Sequence, residues 1–171
     1  EFPEAIEVAE HGDSFAENAA LKATVQARHL NQWVLGEDSG LVVDALGGEP
    51  GIFSARYSGP NATAAANNRL LLERLEGVPL EKRTAAFVCY IAVADPRGVV
   101  RAESFGSCKG RIVFQPRGNN GFGYDPLFEL VEYHRTFGEL SALVKSYLSH
   151  RSKAAYRLAP QLLKLIEEGR R

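Results

Sequence analysis

The stretch TAAFVCYIAVA, residues 84–94, decides the fold class of this chain. It is almost uniformly apolar and rich in residues that favour strands, so we expect a buried β-strand there. Asp95-Pro-Arg-Gly98 follows as a turn, and strand-like residues return from Val99 to Ser107. Together the two runs predict an antiparallel hairpin in the middle of the chain.

Helical patterns lie on both sides of this hairpin. Ser14-Phe-Ala-Glu17 predicts a capping box, with Glu17 reaching back to the Ser14 amide, and a helix that ends near Leu30. Further helices are expected over Thr63–Leu75, Ser141–Tyr147 and Ser152–Glu168, and Pro160 predicts a kink or a break in the last one.

Shorter strands are expected over Trp33–Gly36, Leu41–Leu46 and Arg111–Phe114, and a glycine-rich loop over Pro116–Pro126. Strands that alternate with helices around an antiparallel hairpin predict an α/β fold, with a mixed twisted β-sheet flanked by helices. We expect residues 1–171 to form a single domain.

Composition excludes several classes of protein. The 171 residues include 20 basic and 21 acidic side chains, so the basic excess typical of nucleic-acid-binding domains is absent. No apolar run is long enough to span a membrane, and the first residues lack the order of a secretory signal. Cys89 and Cys108 lie in apolar stretches as expected for buried thiols, so we expect a cytoplasmic protein.

The tetrapeptide Glu37-Asp38-Ser39-Gly40 is the first candidate for chemistry. It lies between two predicted strands, where adjacent carboxylates in a tight loop could bind Mg²⁺ or act as a general base. A solvated acidic turn explains the same residues. Glu10 is a possible second metal ligand, and Lys22 is either a surface lysine or a phosphate ligand.

The loop Gly121-Phe-Gly-Tyr-Asp-Pro126 is the second candidate, because its glycines let a flat ligand approach and Phe122 could stack on a nucleobase. A turn with core aromatics is the alternative. His150 and Arg151 follow Ser149 in the first turn of the last helix, where cations are unfavourable unless an anionic or electron-rich group is bound. With Lys145, these features favour a nucleoside triphosphate bound with Mg²⁺.

Five motifs in this order resemble the inosine/xanthosine triphosphate pyrophosphatase family. They are Ser14–Ala23, Glu37–Gly48, Pro50–Gly59, Gly121–Pro126 and Thr136–Ser141 continued to Ser149-His-Arg151. The resemblance implies a two-lobed fold with the site in the cleft, a homodimer and a Mg²⁺ requirement. It also implies hydrolysis of non-canonical purine triphosphates to the monophosphate and pyrophosphate.

The resemblance assigns roles to individual residues. It implies that Asp38 is the proton acceptor and a metal ligand, and that Glu10 is the other metal ligand. It implies that Lys22 and Ser39 contact the triphosphate. The residues that it implies for the base are Phe122, Gly123, Tyr124, Asp125, Lys145, His150 and Arg151.

Two departures from the family pattern matter. The acidic pair is Glu37-Asp38, where the family usually has two aspartates; the changed residue is the first acid, so we expect activity to survive. Nothing in the chain matches the family's opening strand and its triphosphate loop, and we expect the domain to lack both. A nucleotide-binding module without turnover, or a nucleotide pyrophosphatase with another base preference, are the alternatives.

Overall fold

A computed structural model describes residues 3–169, and within them it has the mixed α/β fold that the sequence predicts. A five-stranded sheet is flanked by four α-helices among these residues. The helices and strands are α1 (Phe15–Leu30), β1 (Val34–Val43), α2 (Ala64–Arg74), β2 (Thr84–Ala94), β3 (Val100–Ile112), β4 (Phe128–Leu130), β5 (Arg135–Thr136), α3 (Ala142–Leu148) and α4 (His150–Glu168).

The sheet has the strand order β1-β2-β3-β4-β5. β2 and β3 form the predicted hairpin, in which the Asp95 amide donates to the Val99 carbonyl at 2.9 Å. Gly98 has a φ of 73°, a backbone conformation that residues with a side chain rarely adopt, and this conformation closes the turn. The pairs β3–β4 and β4–β5 are antiparallel.

β1 corrects the prediction at the acidic tetrapeptide. One continuous strand replaces the two short strands, and Glu37 to Gly40 lie inside it rather than in a tight loop. Burial alternates along the strand, since Gly36, Asp38 and Gly40 are buried while Glu37 and Ser39 are half-buried. Ser39-Gly40 resembled a turn by composition, but polar residues fit a strand where alternate positions face different surroundings.

Other boundaries also differ from the predictions. β3 continues to Ile112 and so includes part of the predicted strand at Arg111–Phe114, while β4 and β5 are too short to give a sequence signal. α4 is not broken at Pro160, because a proline removes a single backbone donor and the rest of the 19-residue helix remains.

The predicted capping box at α1 is only partly correct. The Ser14 side chain accepts a hydrogen bond from the Glu17 amide at 3.2 Å, as predicted. The Glu17 carboxylate accepts from the Asp13 amide at 2.7 Å, one residue before the expected partner.

The chain divides into two compact units. The first contains the described residues up to Ser39, Cys89–Gly106 and those from His150 onward; the second contains Gly40–Val88 and Ser107–Ser149. In the first unit, the core of α1 is made of small residues: Ala19, Ala23 and Ala27. The predicted position of the site in a cleft stays a prediction.

The second unit has an aromatic core. The ring centroid of Phe128 lies 4.6 Å from that of Phe87 and 5.2 Å from that of Phe137. Cys108 lies in this core and Cys89 in the core of the first unit, and both are buried and outside any disulfide, as predicted. Among residues 3–169, no helix is long and apolar enough to cross a membrane.

Candidate active site

The acidic cluster, which we define as Glu10, Asn18, Lys22 and Asp38, lies in the first unit. The Lys22 ammonium is 2.8 Å from Glu10 Oε1 and 2.8 Å from Asp38 Oδ1. It also donates to the backbone carbonyl of Glu37 at 3.0 Å. Three oxygens therefore surround one cationic nitrogen, and the structure brings together Glu10, Lys22 and Asp38.

Gly36 explains how Asp38 comes to face α1. A Cβ atom at Gly36 would lie 2.4 Å from the Ala19 carbonyl oxygen and 2.6 Å from the Ala23 amide nitrogen. The backbones of α1 and β1 therefore pack closer than any side chain would allow. Because side chains alternate along a strand, Asp38 lies on the same face as Gly36 and points toward the helix.

Asn18 is a member of this cluster that sequence analysis missed. Its side chain is fully buried, and its amide oxygen accepts a hydrogen bond from the Gly12 amide at 2.9 Å. This bond orients the amide group, so that the amide nitrogen donates to Asp38 Oδ2 at 3.4 Å. Asn18 and Lys22 are four residues apart on one helix face, and this spacing was the available signal.

The charges of the cluster reinforce one another. Burial alone would lower the pKa of Lys22, but the hydrogen bonds with Asp38 and Glu10 outweigh burial and raise this pKa above 10.5. Lys22 is therefore protonated at neutral pH. The ammonium partly neutralises two carboxylates that would otherwise repel each other.

The cluster fits a hard divalent cation when the substrate shares in binding it. Among the described residues, no group of three or more His, Cys, Asp and Glu side chains could bind a metal alone. Two carboxylates are available, those of Glu10 and Asp38, and their oxygens already converge on a cation. Mg²⁺ is often bound by one or two carboxylates together with waters and substrate phosphates.

A second group, the arginine cluster, consists of Glu37, Ser39 and Arg151 and also belongs to the first unit. Arg151 Nε donates to Glu37 Oε1 at 2.7 Å, and Arg151 Nη2 donates to the Ser39 hydroxyl at 3.1 Å. The Ser39 hydroxyl in turn donates to Glu37 Oε1 at 3.0 Å. Glu37 and Asp38 therefore do not form one metal corner, because adjacent strand residues face opposite ways.

The aromatic loop, residues 121–125, lies in the second unit with Lys145. The Phe122 ring is 65% exposed, and the Lys145 ammonium lies 4.6 Å from its centroid. The Asp125 carboxylate is 2% exposed; it accepts from the Phe122 amide at 2.8 Å and from Lys145. Asp125 thus fixes a lysine and an aromatic ring side by side.

Gly123 and Tyr124 have different local roles. The Gly123 carbonyl accepts from the Asn68 side chain at 3.0 Å, with a φ of 58° that favours glycine. Tyr124 is buried and donates its hydroxyl to the Ser54 carbonyl at 2.9 Å, and burial raises its pKa. Its side chain is therefore part of the core, and only its backbone is available to a ligand.

A cavity of about 380 Å³ adjoins the aromatic loop. It is lined by Asn120, Phe122, Leu140 and Lys145, among others. An apolar surface with a few polar groups is typical of small-molecule sites of this size. The Phe122 ring forms part of the wall of this cavity.

The predicted site residues thus form separate groups in the two units. The first unit contains Glu10, Lys22, Asp38, Ser39 and Arg151. It also contains His150, which is buried at the start of α4. The residues Phe122, Gly123, Tyr124, Asp125 and Lys145 belong to the second unit. The roles in substrate binding stay predictions.

Comparison with known proteins gives consistent matches over most of the chain. Residues 1–161 match the model of the Ham1 family. The chain is 53% identical to a dITP/XTP pyrophosphatase of Rhodopirellula baltica over 169 residues, which is 99% of this chain and 81% of that protein. It is 49% identical over 170 residues to a dITP/XTP pyrophosphatase of Listeria monocytogenes, covering 98% and 82% of the two chains.

A solved structure agrees in fold. A HAM1 protein from Coxiella burnetii superposes with a TM-score of 0.88 at 38% identity, covering 94% of this chain and 82% of that one.

Proposed function

Because the chain belongs to the Ham1 family, we propose that it hydrolyses dITP, ITP and XTP to the monophosphate and pyrophosphate. The observation that carries this proposal is the acidic cluster, in which a nearly buried carboxylate has a fixed orientation beside a cation. Binding a nucleotide does not require such a carboxylate, whereas activating a water molecule does.

Asp38 is the proposed proton acceptor. Its two oxygens contact Asn18 and Lys22, so the carboxylate has little freedom to rotate. A positioned carboxylate can orient the attacking water and accept its proton as the bond to the α-phosphorus forms. The electron pair of the breaking bond leaves with the pyrophosphate. Lys22 is proposed to contact a triphosphate oxygen, since its ammonium lies 2.8 Å from Asp38 Oδ1.

Mg²⁺ is the proposed metal, and Glu10 and Asp38 would bind it. When bound, the ion would neutralise the negative charge that develops on the phosphate oxygens during the reaction. The two carboxylates have the hard oxygens that this ion prefers, and their convergence on Lys22 supports a cation at this place.

The aromatic loop and Lys145 are the proposed base site, with Phe122 stacking on the purine. Arg151 and His150 complete the set of base contacts that the family resemblance implies. Donors directed at the 6-oxo group of hypoxanthine or xanthine would oppose the 6-amino group of adenine. A site built on such hydrogen bonds rejects the wrong analogue strongly.

A homodimer and a cytoplasmic location complete the proposal. The family resemblance supports the homodimer. The two buried thiols support the cytoplasmic location, which also suits a protein that acts on the nucleotide pool.

Pyrophosphate release tests the proposed function. The wild-type chain is incubated with dITP, ITP, XTP, GTP, ATP and UTP, with Mg²⁺ and with EDTA. Asp38→Asn is compared in parallel with Asp44→Asn, the same chemical change at an exposed residue just after β1. We expect release from dITP, ITP and XTP with Mg²⁺, and a loss on the order of 1,000-fold in Asp38→Asn only.

Each alternative has its own outcome. Equal rates with ITP and ATP would show a pyrophosphatase with another base preference. No release from any nucleotide, combined with measurable binding of dITP, would show a binding module. Full activity in Asp38→Asn would refute the role assigned to this residue. Undiminished activity in EDTA would refute the proposed Mg²⁺ requirement.

A further inference from the structure

Arg151 occupies an unfavourable position on its helix. It is the second residue of α4, whose first turn carries the positive end of the helix dipole. A cation at this place is destabilised unless an anionic group lies beside it. The Glu37 carboxylate is such a group, with its Oε1 atom 2.7 Å from Arg151 Nε.

Glu37 cannot serve the same purpose as Asp38, because the two side chains leave β1 on opposite faces. Asp38 faces α1 with Glu10 and Lys22. Glu37 and Ser39 share the other face and both bond to Arg151. The strand thus separates an acid that acts on water from an acid that contacts a cationic side chain.

We propose that Glu37 is a positioning residue that fixes the Arg151 guanidinium beside Ser39. The three side chains form a closed ring of hydrogen bonds: Arg151 to Glu37, Arg151 to Ser39, and Ser39 to Glu37. Two donors on different guanidinium nitrogens are held by two acceptors, so the plane of the guanidinium is set. A single contact would leave it free to rotate.

The length of Glu37 is part of this arrangement. An aspartate at this position has one methylene fewer, which is about 1.5 Å of reach. Its carboxylate would then lie roughly 4 Å from Arg151 Nε, beyond hydrogen-bond distance. The departure from the Asp-Asp pair therefore has a structural consequence at Arg151.

The inference rests on the proposed function, since Arg151 is there a base contact and Ser39 a phosphate contact. Glu37 then holds the residue that reads the base next to the residue that contacts the triphosphate. Loss of Glu37 should relax discrimination between 6-oxo and 6-amino purines more than it slows the chemical step.

Binding and turnover are both measured to test this. Affinities for dIMP and dAMP are determined by calorimetry in EDTA, and kcat and KM are determined for dITP and dATP with Mg²⁺. The proteins are wild type, Glu37→Gln, Glu37→Asp, Arg151→Gln and the double variant Glu37→Gln/Arg151→Gln. Glu168→Gln is the control, because it removes the same charge from an exposed ion pair with Lys164.

We expect the dIMP-to-dAMP affinity ratio to fall about fivefold in Glu37→Gln and in Glu37→Asp, the upper end for a half-exposed ion pair. The double variant should match Arg151→Gln alone, because Glu37 acts through Arg151. Additive effects in the double variant would overturn the proposal. Equal losses of affinity for dIMP and dAMP in Glu37→Gln would also overturn it. So would a rise in the Mg²⁺ concentration that Glu37→Gln needs for half-maximal activity, because such a rise would identify Glu37 as a metal ligand.

The two proposals fail in different ways. If wild type releases no pyrophosphate from dITP, the proposed function fails, while the affinity ratios for dIMP and dAMP still decide the role of Glu37. If wild type is active and these ratios do not change in Glu37→Gln, only the inference about Glu37 fails.

Discussion

Gly36→Ala should disturb the acidic cluster through the backbone, without changing any of its side chains. The new methyl group would lie 2.4 Å from the Ala19 carbonyl oxygen, about 1 Å short of ordinary contact, which starts at 3.4 Å. Both groups belong to regular backbone, so neither can rotate away. α1 must therefore move away from β1 by about 1 Å at this point.

Two effects should follow from this displacement. Overpacking costs about 1–3 kcal/mol of the free energy of unfolding, partly offset by the smaller entropy of the unfolded alanine chain. We expect a net loss of about 1–2 kcal/mol, or roughly 2 to 8 °C in Tm for a domain of this size. The bond from Asn18 to Asp38 is already 3.4 Å long and should break. A 1 Å misplacement of this kind lowers kcat by on the order of 100-fold.

Gly106→Ala is the matched control for a helix displaced in the same way. Its methyl group would lie 2.1 Å from the His150 carbonyl oxygen and 2.4 Å from the Ala154 nitrogen, so it displaces the start of α4. This variant should lose similar stability but change the discrimination between dITP and dATP, because α4 carries Arg151. Thermal unfolding measures the stability of each variant, and kinetics with dITP and dATP measure kcat and the discrimination. A Gly36→Ala protein with normal kcat, or with normal Tm, would refute the reasoning.

Two further predictions concern the base site and the hairpin. Phe122→Ala should raise KM for dITP about tenfold in a pyrophosphate assay, since stacking on a base is worth about 1–3 kcal/mol. Phe114→Ala, at an exposed ring packed over Arg83, should not. Hydrogen bonds from the Val99 and Arg97 amides, and one from Arg101, lower the pKa of Asp95. Its contribution to stability is therefore present above about pH 4 and lost as the pH falls through the lowered pKa. Urea unfolding should give Asp95→Asn a smaller free energy of unfolding than wild type at pH 7. The two proteins should have the same free energy of unfolding at a pH well below the lowered pKa of Asp95.

The parts of the fold that were predicted correctly have signals within a few residues. The hairpin of β2 and β3 follows from an apolar run, a four-residue turn and a second run. The helix α1 follows from Ser14 and from alanines spaced four apart, which are buried in the structure. Each signal reflects local backbone preference together with one buried face, so tertiary contacts were not needed to recognise it.

β1 was predicted wrongly because its decisive contact is distant in sequence. Glu37 to Gly40 have the composition of a turn, and only the close approach of α1 at Gly36 shows why the chain stays extended. The family resemblance placed Asp38 and Glu10 in one site, but the sequence pattern also grouped Glu37 with Asp38. This grouping is wrong because the two residues lie in a strand, where the side chains of adjacent residues point to opposite faces.

The same geometry explains why one short segment can serve two purposes. Consecutive residues of a loop share one environment, so two acids there repel each other and depend on the same counter-ion. Consecutive residues of a strand have different environments, because their side chains lie on opposite faces. Here Lys22 neutralises Asp38, while Arg151 neutralises Glu37. A substitution at position 37 can therefore change the arginine cluster without changing the charge that Asp38 experiences through its own partners. Variation in the first acid of the pair is compatible with a catalytic role for the second.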